Sequence, residues 1–172
     1  RCATLTPTSS ASARSVGHTN KRNYSKMKRT LTALTVAATM FASSAYAFDP
    51  DDLQKLKDTN DCFECVLYWA NLADANLTGA NLDNADLAGA FLVGANLNNT
   101  DLEGANLAGA FLVGANLNNA DLNGASLRYA NLTDANLTGA NLKGAVMWYA
   151  TMNGAILCNT TMPDGSENNS GC

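Results

Sequence analysis

The sequence predicts an all-β solenoid: a parallel β-helix of about five coils, four sides to the coil, with a short N-terminal capping helix. Three observations predict it. From Ala70 to Asn159 the chain repeats every five residues through eighteen consecutive units. The first place of the unit is Ala except at Thr100, and the third is Leu sixteen times and Met twice, at Met147 and Met152. Residues 85–104 (ADLAGAFLVGANLNNTDLEG) recur almost unchanged as 105–124 (ANLAGAFLVGANLNNADLNG), so a period of twenty overlies the period of five.

A period of five fits neither a helix nor a flat strand, whose apolar periods are near 3.6 and 2. It fits a chain that turns after every short extended segment. The first and third residues then point the same way, as alternate strand residues do. Gly fills many fifth places, such as Gly89 and Gly109, and Asn or Asp fills others, such as Asn99 and Asp134. These residues tolerate tight corners. Each unit is one side of a polygon, with Ala and Leu inside. Twenty residues make four sides, which stacks Phe91 on Phe111, Val93 on Val113 and Tyr129 on Tyr149.

The Ala-(Asn/Asp)-Leu-X-X run resembles the pentapeptide repeat family over about a hundred of the 172 residues. The resemblance implies a right-handed, four-sided parallel β-helix, with Leu as the central inward residue and Ala as the other. It also implies a bacterial, cyanobacterial or thylakoid-lumen setting, and no particular biochemical activity.

Taken in order, residues 1–26 are basic, rich in Ser and Thr, and free of Asp and Glu. They read either as a transit-like segment or as sequence upstream of a start at Met27. Residues 27–47 read as a signal peptide. Lys28 and Arg29 precede an apolar run from Leu31 to Ala42, and Ala45-Tyr46-Ala47 is a small-x-small cleavage site. Cleavage after Ala47 predicts export to a periplasm or a thylakoid lumen, and leaves no apolar run long enough to span a membrane. All fifteen acidic residues lie beyond it with only Lys55, Lys57, Arg128 and Lys143, a net charge of −11. Such a surface repels nucleic acid and anionic lipid.

Residues 48–59 read as the capping helix, with Asp49 as its cap, Pro50 in its first turn and Leu53 and Leu56 on one face. Repeat arrays need such a cap over their exposed end. Residues 60–159 carry the repeat, with Cys62 and Cys65 already in its register. Residues 160–172 read as a C-terminal cap, opened by the turn signal in Thr161-Met162-Pro163-Asp164-Gly165.

Four cysteines remain after cleavage. Cys65 and Cys158 stand between four and five coils apart, roughly 20 Å along the axis, too far for a bridge. The natural pairs are Cys62–Cys65 and Cys158–Cys172, although the tail leaves Cys172 free to reach elsewhere. A redox role for Cys62 and Cys65 expects a strand-to-helix setting, and a zinc site expects four ligands together; a structural bridge fits the register better.

Chemistry is sparse. The one His, His18, lies in the removed segment, and no nucleophile and base share a motif. No cofactor is implied. Asp101 and Asp121 stack in one column and offer a candidate calcium site, weighed against like charges on a solvated wall. The outward anomaly is apolar. Phe91 and Phe111 occupy second places usually held by Asn or Asp, flanked by Val93 and Val113, with Trp69, Tyr129 and Tyr149 in a neighbouring column and Trp148 beyond. This stripe is the candidate surface for a protein partner. The leading reading is a non-catalytic binding or scaffold module. The alternative is a DNA-mimicking inhibitor of DNA gyrase, which the acidic rod suits and the signal peptide opposes. A third is a redox-active lumenal protein using Cys62 and Cys65.

Overall fold

A computed structural model describes residues 48–172. The leader readings for 1–26 and 27–47 lie outside the described residues.

Over residues 61–161 every side of the solenoid is the same small device. Its second-place residue pairs in parallel with the residue twenty positions on, from Asp61 with Asn81 to Asn141 with Thr161. Each side is too short to be a strand in its own right and contributes a single bridging residue.

The backbone hydrogen bonds explain why five residues suffice. The third-place amide donates to the next coil, as Leu97 N–H does to Asn116 O at 2.7 Å. So does the fifth, as Asn99 N–H does to Asn118 O at 2.9 Å. The second donates to the coil before, as Asn96 N–H does to Ala75 O at 2.9 Å. The first closes the corner within its own coil, as Ala95 N–H does to Leu92 O at 3.1 Å. That leaves the fourth amide, and the second-place side chain takes it: Asn96 Oδ1 accepts from Asn98 N–H at 3.2 Å, and Asn136 Oδ1 accepts from Thr138 N–H at 3.0 Å. The preference for Asn or Asp in the second place is therefore backbone accounting. The same side chains also link coils, as Asn116 Nδ2 does to Asn96 Oδ1 at 3.3 Å and Asn141 Nδ2 does to Asp121 Oδ1 at 3.0 Å.

Inside, Leu and Ala fill the bore. Every third-place Leu from Leu82 to Leu142 is 0% exposed, and Ala90, Ala110 and Ala130 stack just as dry. Thr100 and Thr160 take the Ala place without leaving a buried hydroxyl unpaired. Thr100 Oγ1 donates to Leu77 O at 2.8 Å, and Thr160 Oγ1 donates to Leu137 O at 2.7 Å.

Helix α1 (Pro50–Thr59) follows Phe48 and the cap residue Asp49, whose side chain accepts from Asp51 N–H at 2.9 Å. Leu56 is buried against the first coil, with Phe48 and Leu53 packed beside it. Asp52 Oδ2 accepts from Val66 N–H at 2.9 Å, so the helix satisfies part of the first coil's free edge. Cys62 and Cys65 are buried beneath it and bridged, their Cα atoms 5.1 Å apart.

At the other end the coil ladder outlasts the Ala-x-Leu wording. Leu142 N–H still donates to Thr161 O, and Gly144 N–H to Pro163 O. The chain then folds back. Strand β1 (Thr160–Thr161) pairs antiparallel with β2 (Glu167–Asn168), and a Cys158–Cys172 bridge with a Cα separation of 4.8 Å ties down the tail. Among the described residues no helix is long and apolar enough to cross a membrane.

Candidate functional site

The walls of the solenoid differ in what their second places carry. One wall is an Asn ladder, Asn76, Asn96, Asn116 and Asn136. Another is acidic, with Asp61, Asp101 and Asp121 in its bridging column and Asp83 and Glu103 in the next. Asp83's carboxyl is held above its usual range, first by partial desolvation and then by the charges of Asp101, Glu103 and Glu64. Asp101 and Asp121 are bridge partners on this wall, but among the described residues no three His, Cys, Asp or Glu side chains converge to hold a metal ion.

The third wall carries Phe91 and Phe111 in the bridging column. Their rings lie 5.1 Å apart and within 4° of parallel, while the residues remain 40% and 38% exposed. Trp69 extends the stack, its ring 6.0 Å from Phe91 and edge-on to Tyr68 at 5.7 Å. Trp69 lies across Gly89, where an added Cβ would meet its ring at 2.7 Å; this corner must be glycine both for its φ of +65° and for that overlap. Val93 is exposed and Val113 half-buried beside the phenylalanines.

Tyr129 and Tyr149 form a second stack, 5.0 Å apart and 66% and 76% exposed. The sequence suggests one continuous stripe; the structure has two stacks. At the intervening corner stands Gly109, with open space where a side chain would project, and Asn131 follows Phe111 along the wall. Trp148 stands beside the second stack, with the Arg128 guanidinium 5.1 Å from its ring, a cation–π contact.

These aromatics carry a local cost that the sequence does not announce. Phe91 and Phe111 bring no acceptor for the fourth-place amides that Asn or Asp would satisfy. Trp69, Tyr129 and Tyr149 hold φ of 58°, 59° and 63°, the left-handed region that the other repeat corners, Glu64 excepted, assign to Gly, Asn or Asp. A bulky side chain there costs roughly 1 kcal/mol or more, and such strain clusters at functional sites. The signal was present in the sequence as the departure of corner residues from Gly, Asn and Asp, but its meaning needs the backbone conformation.

The architecture defines a class first: a closed-bore repeat solenoid whose variation lies on its walls. Residues 65–104, 100–139 and 125–162 match the family description Pentapeptide repeats (8 copies). The chain belongs to the pentapeptide repeat family. Among solved structures it is similar to a pentapeptide repeat protein from the Arabidopsis thaliana thylakoid lumen, at 34% identity and a TM-score of 0.53, over 57% of this chain and 68% of that one. It is similar to a pentapeptide repeat protein from the cyanobacterium Cyanothece 51142, at 30% identity and a TM-score of 0.43, over 61% of this chain and 92% of that one. A plasmid-mediated fluoroquinolone resistance protein, QnrB1, is similar at 19% identity and a TM-score of 0.37, over 61% of this chain and 65% of that one, a likeness that concerns fold alone. No curated protein matches by sequence.

Proposed function

We propose that the protein is a non-catalytic binding module of an oxidising, exported compartment, and that its partner protein docks on the Trp69–Phe91–Phe111 wall. The observation that carries this reading is the pair Phe91 and Phe111, stacked yet exposed in places where Asn or Asp would serve the backbone better. A purely structural wall has no need of them, because the Asn ladder on the adjacent wall stacks with its amides satisfied. Val93, Val113, Tyr129 and Tyr149 widen the surface. Export is supported by the leader pattern of residues 27–47, by the two bridges, which suit an oxidising compartment, and by the likeness to a thylakoid-lumen protein.

The test is the double variant Phe91→Asn/Phe111→Asn. Partner capture from the native compartment should be lost while the melting temperature holds or rises, since both new side chains can take the free amides. Retained capture with a lowered melting temperature would show the rings to be wall reinforcement instead.

A further inference from the structure

We infer that the bare corner at Gly109 is a recognition site for one indole ring, the tryptophan side chain by which the partner protein anchors on this face. The inference rests on the partner reading above and adds what that partner must present.

The chain carries its own template for the site. Residues 87–94 and 107–114 read identically, Leu-Ala-Gly-Ala-Phe-Leu-Val-Gly, so the corners at Gly89 and Gly109 are two copies of one surface. Their backbones agree, with φ of +65° and +67°. The lower copy is occupied. Trp69 lays its indole on Gly89, 2.7 Å from where a Cβ would stand, and its ring lies 6.0 Å from that of Phe91. The upper copy has no such cover: nothing lies within 4 Å of the Cβ position at Gly109. Ala88 and Gly89 are accordingly buried, whereas Ala108 and Gly109 are only half-buried.

The spacing suits a stacked ring. A guest one coil above the Trp69 indole stands about 4.8 Å from it, inside the ~4.5–7 Å range of aromatic pairs. This scaffold already holds rings at such a spacing, 5.1 Å for Phe91–Phe111 and 5.0 Å for Tyr129–Tyr149. The guest takes Phe111 as its lateral neighbour, as Trp69 takes Phe91, and has Tyr129 above it. It thereby joins the two stacks that Gly109 separates. An aliphatic side chain fills the same space without the stack, so ring shape selects the occupant.

Charge narrows the partner. The two walls that meet at this corner are residues 66–73 and their counterparts at 86–93, 106–113, 126–133 and 146–153. Of these only Asp86 and Arg128 are charged, in a chain of net −11 beyond Ala47. A near-neutral partner surface docks here without opposing the acids elsewhere on the rod. Arg128 stands at the rim of the site. Its carbonyl accepts from Gly109 N–H at 2.7 Å, and its exposed side chain rests on Trp148. A carboxylate beside the guest tryptophan meets that guanidinium.

The experiment is titration of the disulfide-intact protein with N-acetyl-L-tryptophan, which carries an indole and a carboxylate, followed by amide nuclear magnetic resonance. N-acetyl-L-leucine and N-acetyl-L-tryptophanamide are titrated beside it. We expect saturable shifts centred on Gly109, Phe111 and Arg128, with the leucine probe bound about tenfold more weakly for want of the stack. Arg128→Gln should erase the preference for the tryptophan acid over its amide. Gly109→Asn should fill the place and abolish the shifts, since the Asn99 and Asn119 corners hold Asn at φ of 55° and 54°. Trp69→Gly should vacate the lower copy, so that the tryptophan probe then shifts Gly89 as well. No saturable shift at Gly109, equal binding of the leucine probe, or a Gly89 corner that stays silent in Trp69→Gly would each overturn the inference. So would Gly109 shifts that grow with protein concentration alone, which would give the place to a second copy. Should a variant not fold, the three probes on the unaltered protein decide. The partner reading fails separately: it falls if capture survives Phe91→Asn/Phe111→Asn, whatever the probes do.

Discussion

Replacing Ala110 by Leu tests the bore most sharply. Ala110 is fully buried, with Ala90 below it and Ala130 above, both equally dry, and Leu112 two residues on in the same side. Leu adds three carbons to a column of single methyl groups. Overpacking a close-packed interior costs about 1–3 kcal/mol for smaller additions than this. Here the wall cannot bulge without breaking ladder bonds: Phe111 N–H donates to Ala90 O at 2.9 Å, and Leu112 N–H to Asn131 O at 2.7 Å. The upper end of that range, about 3 kcal/mol, is therefore expected, which lowers the melting temperature by about 10 °C in a domain of this size. The control is Ala73→Leu at an exposed fourth place, expected within about 0.5 kcal/mol of the parent. Thermal unfolding by far-ultraviolet circular dichroism measures both. If Ala110→Leu melts with the parent, Ala110 does not face a closed interior and the packing account fails.

Leu112→Ala should cost about 2–5 kcal/mol through the cavity it leaves, read by denaturant titration. The two bridges should differ. Breaking Cys158–Cys172, whose partners are fourteen residues apart, should cost about 3 kcal/mol by loop entropy, and breaking Cys62–Cys65, three apart, about 2 kcal/mol. Paired Cys→Ala variants compared by calorimetry check the order. Asp83's raised folded-state pKa means that its ionised form is disfavoured by folding, so it withholds stability at neutral pH and returns it as pH falls through the carboxylate range. Asp83→Asn should thus melt higher than the parent at pH 7, with the advantage gone below about pH 3. Asp164 behaves oppositely. The Ser166 hydroxyl and amide lower its pKa, so its contribution is present at neutral pH and lost on acidification; Asp164→Asn should loosen the tail at pH 7 and make little difference near pH 2.

The bore was legible because its code is periodic. Leu97, Leu117 and Leu137 and the alanines between them recur at a spacing that only a turning chain can bury. The twenty-residue period also placed Phe91 beside Phe111 and Tyr129 beside Tyr149, where the rings do stack. What stayed hidden was local and directional. Asn96 reads as a polar outward residue, and nothing in its spacing reveals that its side-chain oxygen holds the Asn98 amide. The split of the aromatic surface at Gly109 depends on which corner each ring leans across. The left-handed backbone of Trp69 and Tyr149 overrides an ordinary residue preference: the period marks both as corner places, but not that an aromatic would accept a corner's conformation. The C-terminal cap depends on how the tail folds back, through β1, β2 and the Cys158–Cys172 bridge, and the repeat code stops before it.

The central claim is that residues twenty apart are neighbours on successive coils. Asn96 and Asn116 are bridge partners on one wall, and adjacent strands run about 4.8 Å apart, within disulfide reach. The measurement is oxidation of Asn96→Cys/Asn116→Cys followed by peptide mapping, beside the fifteen-residue control Asn96→Cys/Phe111→Cys. A cross-link in the first pair alone is predicted; none in the first, or equal cross-linking in both, would contradict a twenty-residue coil.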